Sequence, residues 1–253
     1  MALKGIGIAA SLVDDLEDLR KATENRIRSL TRTEPDKDGV IRSEGIHPLD
    51  PQVMAVQGIL DGVKAQEKAA IKNLEKQILD SPFGEYVKMR KGIGPKAIGR
   101  LLAATGDPYI ANQIFLDDDY NVIGSYIFER SLRQFFTYCG YGIASDGNAR
   151  RRKKGEKANW NSEAKKRVYI ISDSAMKQRN SHLREVYDSA KLKYENSEVI
   201  DKEGNFVPIS DGRRHNRALR AMSKEVLAEL YHVAREYHVG IPANLVPEKV
   251  LAE

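Results

Sequence analysis

Val87 to Leu102 form the stretch VKMRKGIGPKAIGRLL, which contains the most specific local pattern of the chain. Gly92 and Gly94 allow a tight turn whose backbone N–H groups can point outward. Pro95 suits the first position of the helix that follows, and the N-terminus of that helix carries a partial positive charge. The stretch therefore predicts a short helix, a glycine turn and a second short helix, with an anion site at the turn.

The cations around this turn favour a nucleic-acid ligand. Lys91 and Lys96 flank the glycines, and Arg100 lies one helical turn further along. The segment resembles the helix-hairpin-helix DNA-binding motif, which contacts phosphates without reading the base sequence. We therefore predict DNA contacts by Lys91, Gly92, Gly94, Lys96 and Arg100. The alternative is a glycine turn that only allows two helices to pack closely.

A second concentration of positive charge lies between Arg150 and Arg167. Nine basic residues against two acidic ones give this segment a net charge of +7, whereas the whole chain carries +5, so all other residues together carry −2. Clustered cations attract phosphate backbones by releasing counterions, although a solvated loop is the alternative interpretation. The DNA-binding residues predicted here are Arg150, Arg151, Arg152, Lys153, Lys154, Lys157, Lys165, Lys166 and Arg167.

Two long helices are predicted before the glycine turn, in residues 1–82. The first runs from Leu12 to Arg32, and the second begins at Pro51, after the N-cap residue Asp50, and ends near Asp80. A proline- and glycine-rich connector joins them, which predicts an antiparallel helical hairpin, or a stalk that pairs with another chain. A narrow apolar stripe on each helix needs a partner to cover it. The predicted partner-binding residues are Leu12, Leu16, Leu19, Ile27, Leu30, Val56, Leu60 and Val63.

Residues 83–239 are predicted to form a helical domain with two small β-hairpin insertions. The hairpins are expected in residues 109–125 and 198–209, each around a polar turn. Further helices are expected in residues 128–138, 162–179 and 216–237, and residues 240–253 are expected to form a surface tail. The predicted fold class is mainly α.

Composition excludes several classes of protein. At 41% hydrophobic and 30% charged residues, the 253-residue chain is neither disordered by composition nor a membrane protein. No apolar run approaches the roughly 20 residues of a spanning helix, and no secretory signal is recognisable. The single cysteine, Cys139, excludes an internal disulfide and a cysteine-based zinc site, so we expect a reducing cytosol. We predict no cofactor and no metal ion.

The order of segments resembles the C-terminal half of the DEDD-type insertion-sequence transposases. These RNA-guided enzymes pair an RNase-H-like domain with a serine-bearing domain. The resemblance rests on GIGPKAIGRLLAATGD (92–107), LRQFFTYCGY (132–141), a glycine and serine loop with a basic stretch, and KKRVYIISDSAMKQRNSHLREVY (165–187). It covers about residues 83–235, and residues 12–80 are similar to the coiled-coil linker that precedes that domain.

The chain departs from this family where the family does its chemistry. Only eleven residues precede the first predicted helix, so the acidic metal-binding half is not expected here. The best match to the family's serine nucleophile is Ser145, which falls about two residues early and is followed by Asp146. A serine needs a base or a metal to attack a phosphodiester, and neither is expected near Ser145.

A transposase-like DNA-handling domain without its catalytic half is typical of an accessory binding protein. The chain resembles the recombination directionality factors of actinophages that carry large serine integrases. That resemblance implies a serine integrase as protein partner, DNA as a second partner and no chemistry by the chain itself. It also leaves homo-oligomers possible. The alternatives are a strand-transfer enzyme that uses Ser145 and a general helix-hairpin-helix DNA-binding protein.

Overall fold

The architecture is mainly helical, as the sequence predicts. A computed structural model describes residues 3–117, 119, 121–144, 147, 149–150, 154–155, 157–200 and 203–240. The predicted tail beyond Gly240 therefore lies outside the described residues. The elements are α1 (Leu3–Thr31), α2 (Pro51–Leu79), α3 (Gly84–Met89), α4 (Pro95–Thr105), β1 (Ile110–Leu116), β2 (Val122–Glu129), α5 (Leu132–Tyr138), α6 (Ser162–Met176), α7 (His182–Lys193), β3 (Glu198–Ile200), β4 (Phe206–Pro208) and α8 (Asp211–Val239).

The helices α1 and α2 form the predicted antiparallel hairpin. Arg20 Nε lies 2.7 Å from Glu67 Oε2, and Lys64 Nζ lies 3.2 Å from Glu24 Oε1. The partners run in opposite order along the two helices, which fixes the antiparallel register. Asp50 caps α2 by accepting a hydrogen bond from the Gln52 backbone, as its place before Pro51 predicts.

One buried cluster holds the helices together. α4 packs against α1, α2 and α6, and α8 packs against α5, α6 and α7. α2 and α4 lie close together at Gly99, where an added Cβ atom would lie 2.8 Å from Leu74 Cδ1. Side chains from both sides of position 82, including Val13 and Leu230, belong to the same cluster. The boundary predicted between residues 82 and 83 stays a prediction.

The first helix begins earlier than predicted. α1 starts at Leu3 instead of Leu12, because Ile6, Ala9, Ala10 and Val13 are buried in the cluster. Two glycines in this stretch lower its helix propensity, and the burial of its apolar face outweighs that cost.

The region after α6 also differs from the prediction. α6 ends at Met176, and a separate helix, α7, follows a turn in which Asn180 has a φ of 54°. Ser181 caps α7, since its side chain accepts a hydrogen bond from the Arg184 backbone. A single helix was predicted over residues 162–179, and no helix was predicted over 182–193. The residues directly before Ser181 are all polar, so the sequence gives no clear sign that a second helix starts there.

Both predicted hairpins are present, and the first is longer than expected. β1 and β2 pair antiparallel from Ile110 opposite Glu129 to Phe115 opposite Gly124. β3 and β4 pair from Glu198 opposite Pro208 to Ile200 opposite Phe206. The strand β2 continues to Glu129, so the next helix, α5, begins only at Leu132, after the N-cap residue Ser131. Within the described residues, no helix is both long enough and apolar enough to cross a membrane.

Candidate functional site

The glycine turn lies between α3 and α4, as predicted. Gly92 has a φ of 85°, which strongly favours glycine, and a Cβ atom there would lie 2.8 Å from Ala175 Cα at the end of α6. Gly94 is the N-cap residue of α4, with φ −94° and ψ 152°, and a Cβ atom there would meet open space. Packing against α6 therefore requires glycine at position 92, whereas Gly94 leaves the helix N-terminus accessible.

The three predicted cations of the turn do not share one environment. Lys91 is exposed. Lys96 Nζ lies 3.5 Å from Glu17 Oε2, and Arg100 forms ion pairs with both Glu17 and Asp14. Of these three side chains, only that of Lys91 is exposed, whereas those of Lys96 and Arg100 are half-buried.

The carboxylates of α1 and the cations of α4 and α6 form an acidic–basic cluster, which consists of Asp14, Glu17, Lys96, Arg100 and Arg167. Arg167 Nη2 donates to Asp14 Oδ2 across 2.9 Å. The guanidinium side chains of Arg100 and Arg167 are only 14% and 13% exposed. The cluster therefore joins three helices and neutralises cations that the sequence assigned to DNA.

Glu17 is held ionised within this cluster. Burial opposes its ionisation, but the hydrogen bond from Lys21 and the charge of Arg100 outweigh it and lower the pKa of Glu17 to about 2. A carboxylate that already contacts three cations, Lys21, Lys96 and Arg100, is poorly suited to hold a catalytic Mg²⁺ ion.

The described part of the basic segment divides into engaged and exposed cations. Lys165 Nζ lies 4.6 Å from the centroid of the Trp160 ring, and burial together with the charge of Arg220 lowers the pKa of Lys165. Lys166 pairs with Glu163 at 3.1 Å but stays exposed. Lys154 and Lys157 are also exposed, and Arg150 is half-buried. The candidates Arg151, Arg152, Lys153 and Ser145 lie outside the described residues.

The apolar residues predicted to bind a partner fall into two sets. Leu60 and Val63 are buried on α2, and Leu16, Ile27, Leu30 and Val56 are half-buried. Leu12 and Leu19 remain 48% and 50% exposed, and Ile8 on the same helix is 76% exposed. These three residues form the outer stripe of α1, which the inner contact with α2 leaves uncovered.

A pocket that the sequence does not reveal lies beside α5. Its volume is about 330 Å³, and its floor is formed by the buried side chains of Leu132, Phe136 and Tyr141. Arg133, Ile143 and Lys224 also line it, so we call it the cationic pocket. Lys224 Nζ lies 5.0 Å from the centroid of the Phe136 ring. Arg133 and Lys224 are far apart in the chain, so no sequence pattern could have paired them.

One group of potential metal ligands occurs among the described residues. His182 Nε2 lies 3.5 Å from Glu225 Oε1 and 3.9 Å from Glu229 Oε1. Arg90 already forms an ion pair with Glu229 and supplies a positive charge there. The spacing of these residues in the sequence gave no signal for the group.

Comparison with known proteins adds no identification. No protein-family model matches this chain, and a search of the curated proteins finds no relative.

Proposed function

We propose that this chain is a non-catalytic accessory protein of DNA recombination, a directionality factor that binds a large serine integrase and switches it from integration to excision. The observation that carries the proposal is the outer stripe of α1, in which Ile8, Leu12 and Leu19 stay exposed. The proposal also draws on the resemblance of the segment order to the C-terminal half of the insertion-sequence transposases.

The outer stripe has the spacing of a helix-pairing surface. Its residues are separated by four and seven positions, so they share one face of α1. The opposite face already packs against α2 and the buried cluster through residues such as Val13. An exposed apolar stripe on a long, well-supported helix favours a second helix or coiled coil as its partner. Large serine integrases carry a coiled coil of this kind, which is the contact proposed here.

Binding alone would be enough to redirect a recombinase. A partner that binds one arrangement of the integrase more tightly than another shifts the balance between the two. A shift from 1:99 to 99:1 requires a difference of roughly 10⁴-fold in affinity. No bond is made or broken by the accessory protein itself. Consistent with this role, Asp14 and Glu17 are engaged with arginine side chains and not arranged to hold a metal ion.

A recombination assay tests the proposal directly. Purified protein is added to the cognate serine integrase with either the integration or the excision pair of attachment sites. We expect integration to be inhibited and excision to be activated. The double variant Leu12→Glu/Leu19→Glu should lose both effects and should no longer co-purify with the integrase.

A matched control separates docking from general damage. Met54 is 55% exposed on α2, so Met54→Glu adds a charge to the same hairpin outside the stripe. This variant should keep full switching activity. Unchanged product ratios with the wild-type protein, or equal losses in the two variants, would show that the stripe is not an integrase contact.

A second candidate function is general duplex-DNA binding, and it is favoured by the exposed lysines. Lys91 lies beside the accessible N-terminus of α4, and Lys154, Lys157 and Lys166 are exposed on the basic segment. Under this hypothesis Lys91→Ala should reduce the slope of log DNA affinity against log salt concentration by about one, since each phosphate contact releases counterions. Lys96→Ala is the control, because Glu17 already engages Lys96. Duplex binding without any effect on integrase products would favour this candidate.

A further inference from the structure

The β1–β2 hairpin, residues 110–129, is an arm that exposes apolar side chains to solvent. Val122, Ile123, Tyr126 and Ile127 are between 60% and 67% exposed. A two-stranded hairpin is marginally stable by itself, and exposed apolar side chains in such density mark an interaction surface. The stacked rings of Tyr126 and Phe128, 5.8 Å apart, give one face of this hairpin arm an aromatic character.

The charge of the hairpin arm favours a basic protein surface over nucleic acid. Between Ile110 and Phe128 the chain contains no lysine or arginine, and the sequence between the two strands includes three consecutive aspartates, Asp117 to Asp119. Asp117 orders the turn by accepting hydrogen bonds from the backbones of Asp119 and Asn121. An acidic tip without cations is repelled by phosphates, so DNA is a poor partner for this surface.

The cationic pocket offers the complementary chemistry. Its floor is apolar, and Arg133 and Lys224 supply positive charge. Burial and the charge of Arg220 lower the pKa of Lys224, and within the described part of the chain Arg220 is the charged group that acts on it. A carboxylate placed in the pocket would offset the positive charges of Arg133 and Lys224, the two cations that line it. The pocket thus suits an apolar segment that carries an acidic group.

The hairpin arm cannot reach the cationic pocket of its own chain. Eight residues of β2 at ~3.3 Å per residue place the tip roughly 25 Å from the base of the arm. Leu132 and Arg133 of the pocket follow that base after only two further residues, Arg130 and Ser131. The tip of a second copy has no such restriction.

We propose that two copies of this chain exchange hairpin arms, each inserting the apolar, acidic tip of its arm into the cationic pocket of the other. Reciprocal exchange closes the pair around a two-fold axis, whereas a one-way contact would continue into open filaments. The two contacts together bury twice the surface of one. This dimer uses surfaces separate from the outer stripe of α1, so it stands independently of the integrase contact.

Measurement of mass in solution tests the exchange. Sedimentation velocity or light scattering across a dilution series of the full chain should give a mass twice that of one chain, falling to a single chain on dilution. Ile123→Asn in the arm and Lys224→Glu in the pocket should each weaken the dimer at least about tenfold, or ~1.4 kcal/mol. Phe206→Asp is the control, because Phe206 is 71% exposed on the other hairpin. The solution mass of this variant should match that of the wild type.

Two further measurements, mixing of the variants and charge reversal, distinguish a lost contact from a misfolded variant. The arm variant mixed with the pocket variant can still form one intact contact, so the mixture should dimerise better than either variant alone. Asp119→Lys should weaken the dimer, and Arg133→Glu in the same chain should restore it. A wild-type chain that stays monomeric at its highest soluble concentration would overturn the proposal. A dimer that persists in the arm variant would also overturn the proposal. This includes the case in which the arm variant stays dimeric and loses only its binding to the integrase.

Discussion

Arg167 of α6 donates a hydrogen bond of 2.9 Å to Asp14 of α1, across 153 positions of the sequence. Arg100 of α4 pairs with the same carboxylate. One acidic side chain thus connects three helices and removes two arginines from the set of free cations. Arg100 and Arg167, which look like DNA contacts in the sequence, therefore form ion pairs with α1 in the folded chain.

Removal of Asp14 should destabilise the fold. Asp14→Ala leaves two guanidinium groups, each less than 15% exposed, without one of their carboxylates. We expect the free energy of unfolding to fall by about 2 kcal/mol, because each guanidinium loses a hydrogen bond to a charged partner, although Arg100 keeps Glu17 and Arg167 keeps Glu163. Urea unfolding measures this change. The adjacent and exposed Asp15 provides a matched control, and Asp15→Ala should change stability by less than about 0.5 kcal/mol. Equal losses in both variants would contradict the assignment.

Acid should weaken the acidic–basic cluster over a defined pH range. The pKa of Glu17 is about 2 in the folded protein, below its usual value of 4.5. A lowered folded pKa means that ionised Glu17 stabilises the fold above pH 4.5, and this stabilisation is lost as the pH falls from 4.5 towards 2. The unfolding free energy of the wild type should therefore fall more steeply in that range than that of Glu17→Gln.

Asp18 provides the control for this pH dependence. It is the next residue of α1, its side chain is 81% exposed, and Asp18→Asn should keep the wild-type slope. If Glu17→Gln also keeps that slope, Glu17 does not carry the acid sensitivity.

Substitution of the two turn glycines should have unequal effects. Gly92→Ala forces a side chain into a left-handed backbone conformation and against α6, which should cost more than about 2 kcal/mol. Gly94→Ala meets open space in an extended conformation, so its loss should stay below about 1 kcal/mol. Thermal unfolding of the two variants gives the comparison. A larger loss for Gly94→Ala would mean that packing against α6 does not fix the turn.

Cys139 should be unreactive in the native protein. The thiol is fully buried, and burial raises its pKa to about 12. Little thiolate is therefore present below pH 9, and the reagent has no access to it. A chromogenic disulfide reagent should report almost no reaction in buffer and one reacting thiol per chain in denaturant. Rapid labelling in buffer at pH 8 would show that the helices around Cys139 open readily.

The local signals of the sequence located most elements well. Pro51 after Asp50 marks the start of α2, and the glycine turn marks the gap between α3 and α4. Signals of this kind act within a few residues, through capping and backbone freedom. The early start of α1 and the separate helix α7 were missed. Ile6 and Leu183 lie in helices because their side chains are buried in the cluster formed by the other helices. Local helix propensity does not encode such a contact.

The sequence by itself determined the mainly helical class, the long hairpin, the two small β-hairpins and the places where positive charge accumulates, because periodicity, turn residues and charge are local properties. Only the tertiary structure decided which charges stay free. Lys91 remains exposed, Arg100 and Arg167 form ion pairs with Asp14, and Arg133 and Lys224 line the same pocket. The physical reason is that ion pairing and burial depend on distances between residues far apart in the chain, and packing alone sets those distances.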